Sequence, residues 1–500
     1  MLKNVTITTI VKIITILLQF SFSSYLAYHF GTSAEFDSFS IALNFIVTVN
    51  VGFLIAQSKS FIPMLSQNTQ DQALIIGQVF RMNIVVFGVL ALLIFIFSPQ
   101  IAHVLAPGVT SQSHEMISEL LKILSTYILF SNLLGLTFGL YEFKGLFIQE
   151  MFLELARQII LFAVVYLFIH SQGINIISWA HLISLIFIFF LSVFLIKIKL
   201  KVSKIWIDSI IKDYLKMIFP LIIASSFVWI MESTNYIIAS YFAEGSISSL
   251  SYSQKINNNV AQVFAGLMLV IFPILSRSQS KSSFADEFKK AYHLTSFIII
   301  LLAFFILLLS PQIVSLLFQQ GQFSEASTQN VSSLLRFFFF AIIAGPIGTL
   351  IANTYFASRK HELAMRITLI SSTASILLSL LFAKYFGLEG IAIATSLSCV
   401  IGMGAQLIYL NQVNNEINRK DLCLFLVKSL SIGFISLCII SPIYIYSQQF
   451  FTTKIELFLY LSLLFFIFSL TYGFLFYSFD RHIKSYIHNI IQILKLKRQK

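Results

Sequence analysis

SPQIAHVL, residues Ser98 to Leu105, returns in altered form as SPQIVSLL, residues Ser310 to Leu317. The offset is 212 residues, and a shared tetrapeptide says little unless the rest of the chain keeps that spacing. It does. FIPMLSQ, from Phe61, faces IFPILSR, from Ile271, which sets Pro63 against Pro273 at an offset of 210. QGINIISWAHLIS, from Gln172, faces EGIAIATSLSCVI, from Glu389, at 217. An offset that grows slowly in unchanged order is what short insertions between two copies of one unit leave behind. A Ser-Pro pair alone only ends a helix, because proline has no N–H to donate to the preceding turn. Three concordant segments require the duplication.

The medium in which these copies fold follows from composition. The 500 residues are 57% hydrophobic and 11% charged, with 53 Phe, far more apolar surface than a water-soluble domain needs. About 20 apolar residues cross a hydrocarbon core of about 30 Å. That ruler places fourteen helices, near 5–28, 38–64, 78–98, 119–142, 150–170, 174–197, 217–243, 249–275, 288–311, 329–357, 362–385, 389–411, 422–446 and 455–478. The ten-residue alternation of a transmembrane β-barrel is absent. The chain therefore reads as an all-α polytopic membrane protein. Six helices pair with the next six, and both sets begin on the same side of the membrane, so the copies are parallel. The expected architecture is an N-terminal lobe at 1–200, a basic linker at 201–216 and a second lobe at 217–415. An additional helix pair at 416–480 and a basic tail at 481–500 complete it. Two six-helix lobes around a central cavity can rock about it, the geometry of alternating access.

Basic residues orient the chain. KIKLKVSKIWIDSIIKDYLK holds six lysines between Lys197 and Lys216, and further Lys and Arg cluster at Arg277, Lys281, Lys289 and Lys290, at Arg359 and Lys360, at Arg419 and Lys420, and in the tail, all on one side if the helices alternate. By the positive-inside rule both termini are cytoplasmic. The +12 net charge thus matches anionic lipid headgroups and gives no reason to expect a nucleic-acid partner. The first apolar stretch carries Lys12 and is long enough to span, so it reads as a retained helix and not a signal peptide. Cys399, Cys423 and Cys438 lack metal-ligand spacing and read as inert residues of apolar helices. No phosphate-binding loop, zincin pair or nucleophile elbow occurs. The longest outward loop, SPQIAHVLAPGVTSQSHEM, is too short for a soluble catalytic loop. We expect no enzyme and no cofactor; the work is expected to come from a coupling cation, Na+ or H+, or from the membrane potential.

Ionisable and amide side chains inside such helices mark cavities or seams. SLSYSQKINNNVAQVFAG puts Lys255, Asn258, Asn259 and Gln262 on one helix face. One cation with amide neighbours suits an anionic, hydroxyl-rich ligand such as a sugar phosphate; a polar seam between helices is the plainer alternative. The paired helix at 38–64 carries Asn44, Asn50, Gln57 and Lys59, the last close enough to its end to snorkel. Glu232 and Asn235 stand in WIMESTNY, where Glu232 can neutralise Lys255 or hold a coupling cation. Asp37 opens the second helix, where an acidic residue favours the N-terminus. Lys12, Gln19, Arg157 and Arg336 are single polar points and read as snorkelling or structural.

Taken in order, several stretches resemble the MviN/MurJ family of lipid II flippases, within the multidrug/oligosaccharidyl-lipid/polysaccharide exporter superfamily. They are HFGTSAEFDSFSIAL (from His29), QSKSFIPMLSQ (from Gln57), VLAPG (from Val104), SYFAEGSISSLSYSQKI with VIFPILSRS, LLFQQGQFSEAST (from Leu316) and YFASRKHELAMRI (from Tyr355). The likeness runs over about residues 1–415. It implies a flippase of the bacterial inner membrane that moves an undecaprenyl-diphosphate-linked saccharide by alternating access, with lipid II the default cargo. It also implies that the last two helices hold the lipid tail in a groove. The family's cavity arginine on the eighth helix falls at Lys255, its acidic residue one turn on at Asn258, and its aspartate after the first outward loop at Asp37. The first helix has no arginine, and the second offers Lys59. Expected partners are the polyprenyl-diphosphate-linked saccharide and the bilayer, with the chain acting as a monomer. The alternatives are a flippase for another lipid-linked oligosaccharide, a cation-coupled multidrug exporter, or a non-transporting scaffold or scramblase.

Overall fold

In hydrocarbon no water is available to backbone N–H and C=O groups, so long apolar segments must satisfy them internally, as helices. The computed structural model describes residues 2–67, 72–197, 201, 209–277, 281–358, 360–447 and 453–479, and among them it contains helices and no strand. In chain order these are α1 (Leu2–Phe30), α2 (Ala34–Gln67), α3 (Gln72–Ile96), α4 (Ser98–Leu105), α5 (Ser111–Phe143), α6 (Phe147–Gln172), α7 (Asn175–Ile196) and α8 (Ser209–Ala239). Then follow α9 (Ser246–Arg277), α10 (Lys281–Phe318), α11 (Glu325–Phe337), α12 (Phe339–Ala357), α13 (His361–Phe386), α14 (Leu388–Tyr409), α15 (Arg419–Ser447) and α16 (Lys454–Phe479). Among the described residues eleven helices are long and apolar enough to cross a membrane, and α11 with α12, bent by 48°, make a twelfth. The other two of spanning length, α8 and α9 at 31 and 32 residues, carry Glu232 and Lys255. Residues 202–208 of the basic linker and the whole tail 481–500 lie outside the described residues.

Two boundaries differ from the sequence reading. The stretch after Phe97, expected as a long outward loop, is mostly helix: α4 starts at Ser98 with Pro99 in its first turn, where the missing N–H costs nothing. Thr110 then caps α5 by accepting from the Ser113 backbone N–H at 3.3 Å. The helix expected at 329–357 is broken at Phe338 into α11 and α12. The second Ser-Pro-Gln-Ile lies inside α10, directly after a kink at Leu309 with φ −111° and ψ 17°. Both copies of the motif therefore break a helix axis. Each break is tied down by the element that follows. Ser118 donates to Ser98 Oγ at 3.1 Å, and Arg336 Nε donates to Ser310 Oγ at 2.9 Å.

The chain divides into two compact units. The first gathers Met1–Asn259, Phe318–Leu334 and Met365–Ser398; the second gathers Val260–Leu317, Leu335–Ala364 and Cys399–Lys500. In the first, α2 lies along α5 and α8, and α5 also packs on α3 and α7. Gly135 and Gly139, a G-x-x-x-G pair on α5, let α2 approach: a Cβ on Gly135 would stand 2.3 Å from Leu54 Cδ2, and Gly139 faces Phe61. In the second unit, rings pack α15 and α16 against α10. His293 stacks on Phe425 with centroids 3.8 Å apart, Phe297 meets Tyr472 and Phe476, and Phe305 meets Phe465. Large apolar side chains point outward, Phe194 at 78% exposure and Phe474 at 69%, because the surrounding medium is lipid. Hydroxyls on these helices fold back onto carbonyls four residues earlier, as at Thr15, Thr137 and Ser429, which satisfies them without water.

Candidate functional site

Three faces of three helices in the first unit enclose a cavity of about 460 Å³. From α9 come Ser251, Gln254, Lys255 and Asn258, at positions i, i+3, i+4 and i+7 of one helical stripe. From α8 come Trp229, Glu232 and Tyr236, at i, i+3 and i+7. From α2 comes a mostly apolar stripe, Phe36 to Thr48, that includes Ser40 and Asn44. The cavity thus has a mostly apolar wall from α2, a mixed one from α8 and a polar one from α9, with one cation and one anion among the described lining residues. Tyr236 donates to Gln254 Oε1 at 3.1 Å and joins α8 to α9 beside the charges. Among the described residues no hydrogen bond or ion pair joins Glu232 or Lys255 to any other side chain. An unpaired charge at membrane depth costs about 2.5–3.5 kcal/mol even on lenient scales. Two such groups face one space here.

Asp37 occupies a different place. Its carboxylate accepts from the backbone N–H of Gly245 at 2.8 Å, from that of Ser248 at 2.6 Å, and from the Ser248 hydroxyl. It therefore caps the N-terminus of α9 from another helix. The exchange is mutual, because Glu244 Oε1 accepts from the backbone N–H of Ala34 at the start of α2 at 3.0 Å. Gly245 adopts φ +85° here, and a Cβ on it would stand 2.7 Å from Thr32 O, so only glycine fits this crossing. A second cavity, of about 630 Å³, lies beside this clasp and is lined by both carboxylate residues.

The other amides of α2 are engaged with one another's partners. Asn132 Nδ2 on α5 donates to Asn50 Oδ1 at 2.6 Å; Gln57 Nε2 donates to Asn132 Oδ1 at 3.1 Å and also to Asn83 Oδ1 on α3. All four side chains are buried. Asn50 thus stands in an interhelical knot, apart from the residues that line the Lys255 cavity. Asn235 is buried and accepts from Ser379 of α13 at 2.9 Å. Asn259 is buried and Gln262 half-buried, and neither lines the cavity. The Lys59 side chain lies outside the described residues. Arg157 forks onto Glu154 within α6, with Nη2 to Oε1 at 2.8 Å and Nε to Oε2 at 3.2 Å.

Of the expected site residues, the cavity brings together Lys255, Asn258 and Glu232. Sequence reasoning passed over Ser251, Gln254, Trp229 and Tyr236. Their signal was present in the i, i+3, i+4, i+7 register around Lys255, which runs toward the N-terminus of α9 and not toward Gln262. Glu154 and Glu244 were also passed over: the i, i+3 spacing of Glu154 and Arg157 was legible on one helix, whereas a single-helix pattern holds no signal for the contact of Glu244 with α2. Among the described residues no group of three or more His, Cys, Asp or Glu is placed to hold a metal ion.

Comparison with known proteins places this geometry in context. The family model described as lipid II flippase MurJ matches residues 26–466. A probable lipid II flippase MurJ of Buchnera aphidicola subsp. Baizongia pistaciae is 24% identical over 417 residues, 79% of this chain and 81% of that one. One of Aquifex aeolicus is 27% identical over 381 residues, 72% of each chain. Among solved structures, a lipid II flippase MurJ in an inward closed conformation superposes with a TM-score of 0.81 at 21% identity, covering 94% of this chain and 98% of that one. An inward-facing multidrug resistance MATE family transporter of the MOP superfamily reaches 0.67 at 14% identity, covering 81% and 98%. These two share the fold of this chain.

Proposed function

The chain belongs to the lipid II flippase MurJ family, and we propose that it carries a polyprenyl-diphosphate-linked saccharide, lipid II by default, between the leaflets of the bacterial inner membrane by alternating access. The observation that carries the site assignment is the pair of unpartnered charges, Lys255 and Glu232, in one cavity with Asn258 and Gln254 beside them. In this reading Lys255 meets the diphosphate through charge-assisted hydrogen bonds, the strongest available to a single cation. Asn258 and Gln254 supply amide donors to the remaining oxygens or the first sugar. The apolar stripe of α2 excludes water and keeps those contacts strong.

Glu232 then acts as a gate on charge. An ionised carboxylate beside a diphosphate is repulsive, so cargo binds best once Glu232 has taken up a proton or a monovalent cation. Cation and cargo thereby favour each other at binding, reciprocally by linkage; a cation carried outward with the cargo moves against its own gradient, so the work in this scheme comes from the membrane potential. The inside-negative membrane potential adds about 2.3 kcal/mol per charge per 100 mV to the outward movement of an anionic headgroup. Both termini face the cytoplasm in this scheme, following the Lys and Arg distribution. The multidrug-exporter alternative is not favoured, because the family match and the curated relatives are lipid II flippases.

The test is depletion of the protein followed by identification of the lipid-linked saccharide that builds up on the cytoplasmic leaflet. Accumulated lipid II supports the default cargo. Accumulation of a different lipid-linked oligosaccharide replaces it, and no accumulation of any such lipid removes the transport reading.

A further inference from the structure

The larger cavity, beside Asp37, has no part in that route, and its chemistry suits a different portion of the cargo. Two of its acids are already satisfied: Asp37 caps α9, and Glu244 caps α2. Among the described residues no Lys or Arg lines it, so it offers a phosphate no fixed cation. What stays open is hydrogen-bonding and mostly neutral. Gln112 and Gln322 line it, are exposed, and form no side-chain hydrogen bond among the described residues. The exposed carboxylate of Glu35 adds a free acceptor.

One wall is His29, with Phe30 and Phe242 also lining the cavity, and the His29 ring is held among others that lie behind it. The imidazole centroid of His29 lies 4.6 Å from that of Tyr25, 5.0 Å from Tyr28 and 5.1 Å from His170. Tyr166 packs on Tyr25 at 5.7 Å, and Tyr28 and Tyr166 are 49% and 62% exposed. Rings of His29, Phe30 and Phe242 beside unengaged amides and a carboxylate form the combination that holds a sugar ring. The C–H face of the sugar lies on the aromatic plane while its hydroxyls find polar partners. The volume of about 630 Å³ falls within the range of about 300–1,000 Å³ common to small-ligand sites. An interfacial aromatic belt accounts for the exposed tyrosines behind His29; it does not account for the cavity that His29 itself lines with unengaged amides.

We propose that this cavity is a saccharide subsite, distinct from the Lys255 cavity, that receives sugar rings of the lipid-linked cargo. The assignment of the sugar to cargo rests on the transport reading above. The probe is N,N′-diacetylchitobiose (hereafter chitobiose), the uncharged N-acetylglucosamine disaccharide, added to the purified full chain in lipid nanodiscs and followed by saturation-transfer NMR. Saturation transfer to chitobiose is expected with the wild type. His29→Ala and Gln112→Leu should weaken binding about two- to tenfold. Gln112 is exposed, so its replacement leaves the packing intact. No transfer with the wild type, or undiminished transfer with both variants, overturns the subsite. Lys255→Ala separates the two assignments. Lost transport with chitobiose binding retained is the expected pattern, whereas chitobiose binding lost with Lys255 places the sugar in the other cavity and overturns this one. Normal transport by Lys255→Ala, with His29-dependent chitobiose binding intact, sinks the role given to Lys255 and leaves the sugar site standing.

Discussion

Helix α2 presents polar side chains to two unlike surroundings. Asn50 and Gln57 meet Asn132 and Asn83 and are closed off from any space. Ser40 and Asn44 look into a cavity where Lys255 and Glu232 stand without partners. The first group is glue: amides in hydrocarbon bond to one another because nothing else is available, and each such contact is worth about 0.6 kcal/mol, at most about 1.7. The second group is the proposed site: among the described residues its charges are left unanswered, at a cost the fold does not recover internally. Polarity inside a membrane protein therefore does not by itself mark function. Whether the partner is a neighbouring helix or an open space does.

Four substitutions can break that contrast or sharpen it. Lys255→Ala carries the largest effect: flipping of a fluorescent lipid-linked diphosphate saccharide in proteoliposomes should fall about 10- to 100-fold, the value of a charged hydrogen bond, with the melting temperature unchanged or raised, since an unpartnered charge is removed. A lowered melting temperature with normal flipping per folded molecule would move Lys255 into the glue. Asn132→Leu should give the reverse pattern, a loss of about 1–2 kcal/mol of stability with transport per folded molecule retained. Lost transport at full stability would move the amide knot into the site. Glu232→Gln keeps the shape of the cavity and removes its anion. Flipping at fixed membrane potential should become indifferent to pH and Na+, where the wild type responds about fivefold; a variant that still responds excludes Glu232 as the coupling group. Ser118→Ala removes only the tie to Ser98 at the α4 break, and chemical denaturation should register a loss of no more than about 0.6 kcal/mol.

Much of this was legible before any coordinates. The long helices follow from apolar run length, and both Ser-Pro-Gln-Ile copies do interrupt a helix axis, at Phe97 and at Leu309. Lys255, Glu232 and Asn258 were recognisable as out of place in an apolar helix, and they share one cavity. Other assignments followed the wrong neighbour. Asn50 resembles Asn258 as a polar residue in a paired helix, yet it faces Asn132 on α5. Asp37 looked like a cap for its own helix and instead caps α9, some 210 residues away in sequence. The α11–α12 break at Phe338 has no proline at the bend, and hydropathy alone ran one helix through it.

Run length and periodicity settle what a segment is, because the demand that each backbone group find a partner acts locally and the same way wherever the segment lies in the bilayer. They also settle which residues share a helix face. They cannot settle what that face meets. The partner across from Asn50, from Asp37 or from Lys255 depends on which helix packs alongside and at what height, and that is decided by side-chain fit over the whole bundle. The close approach that Gly135 and Gly139 permit to α2 is one such decision. By it the tertiary structure turned one row of amides into a seam, while the packing of α2, α8 and α9 left another row facing an opening.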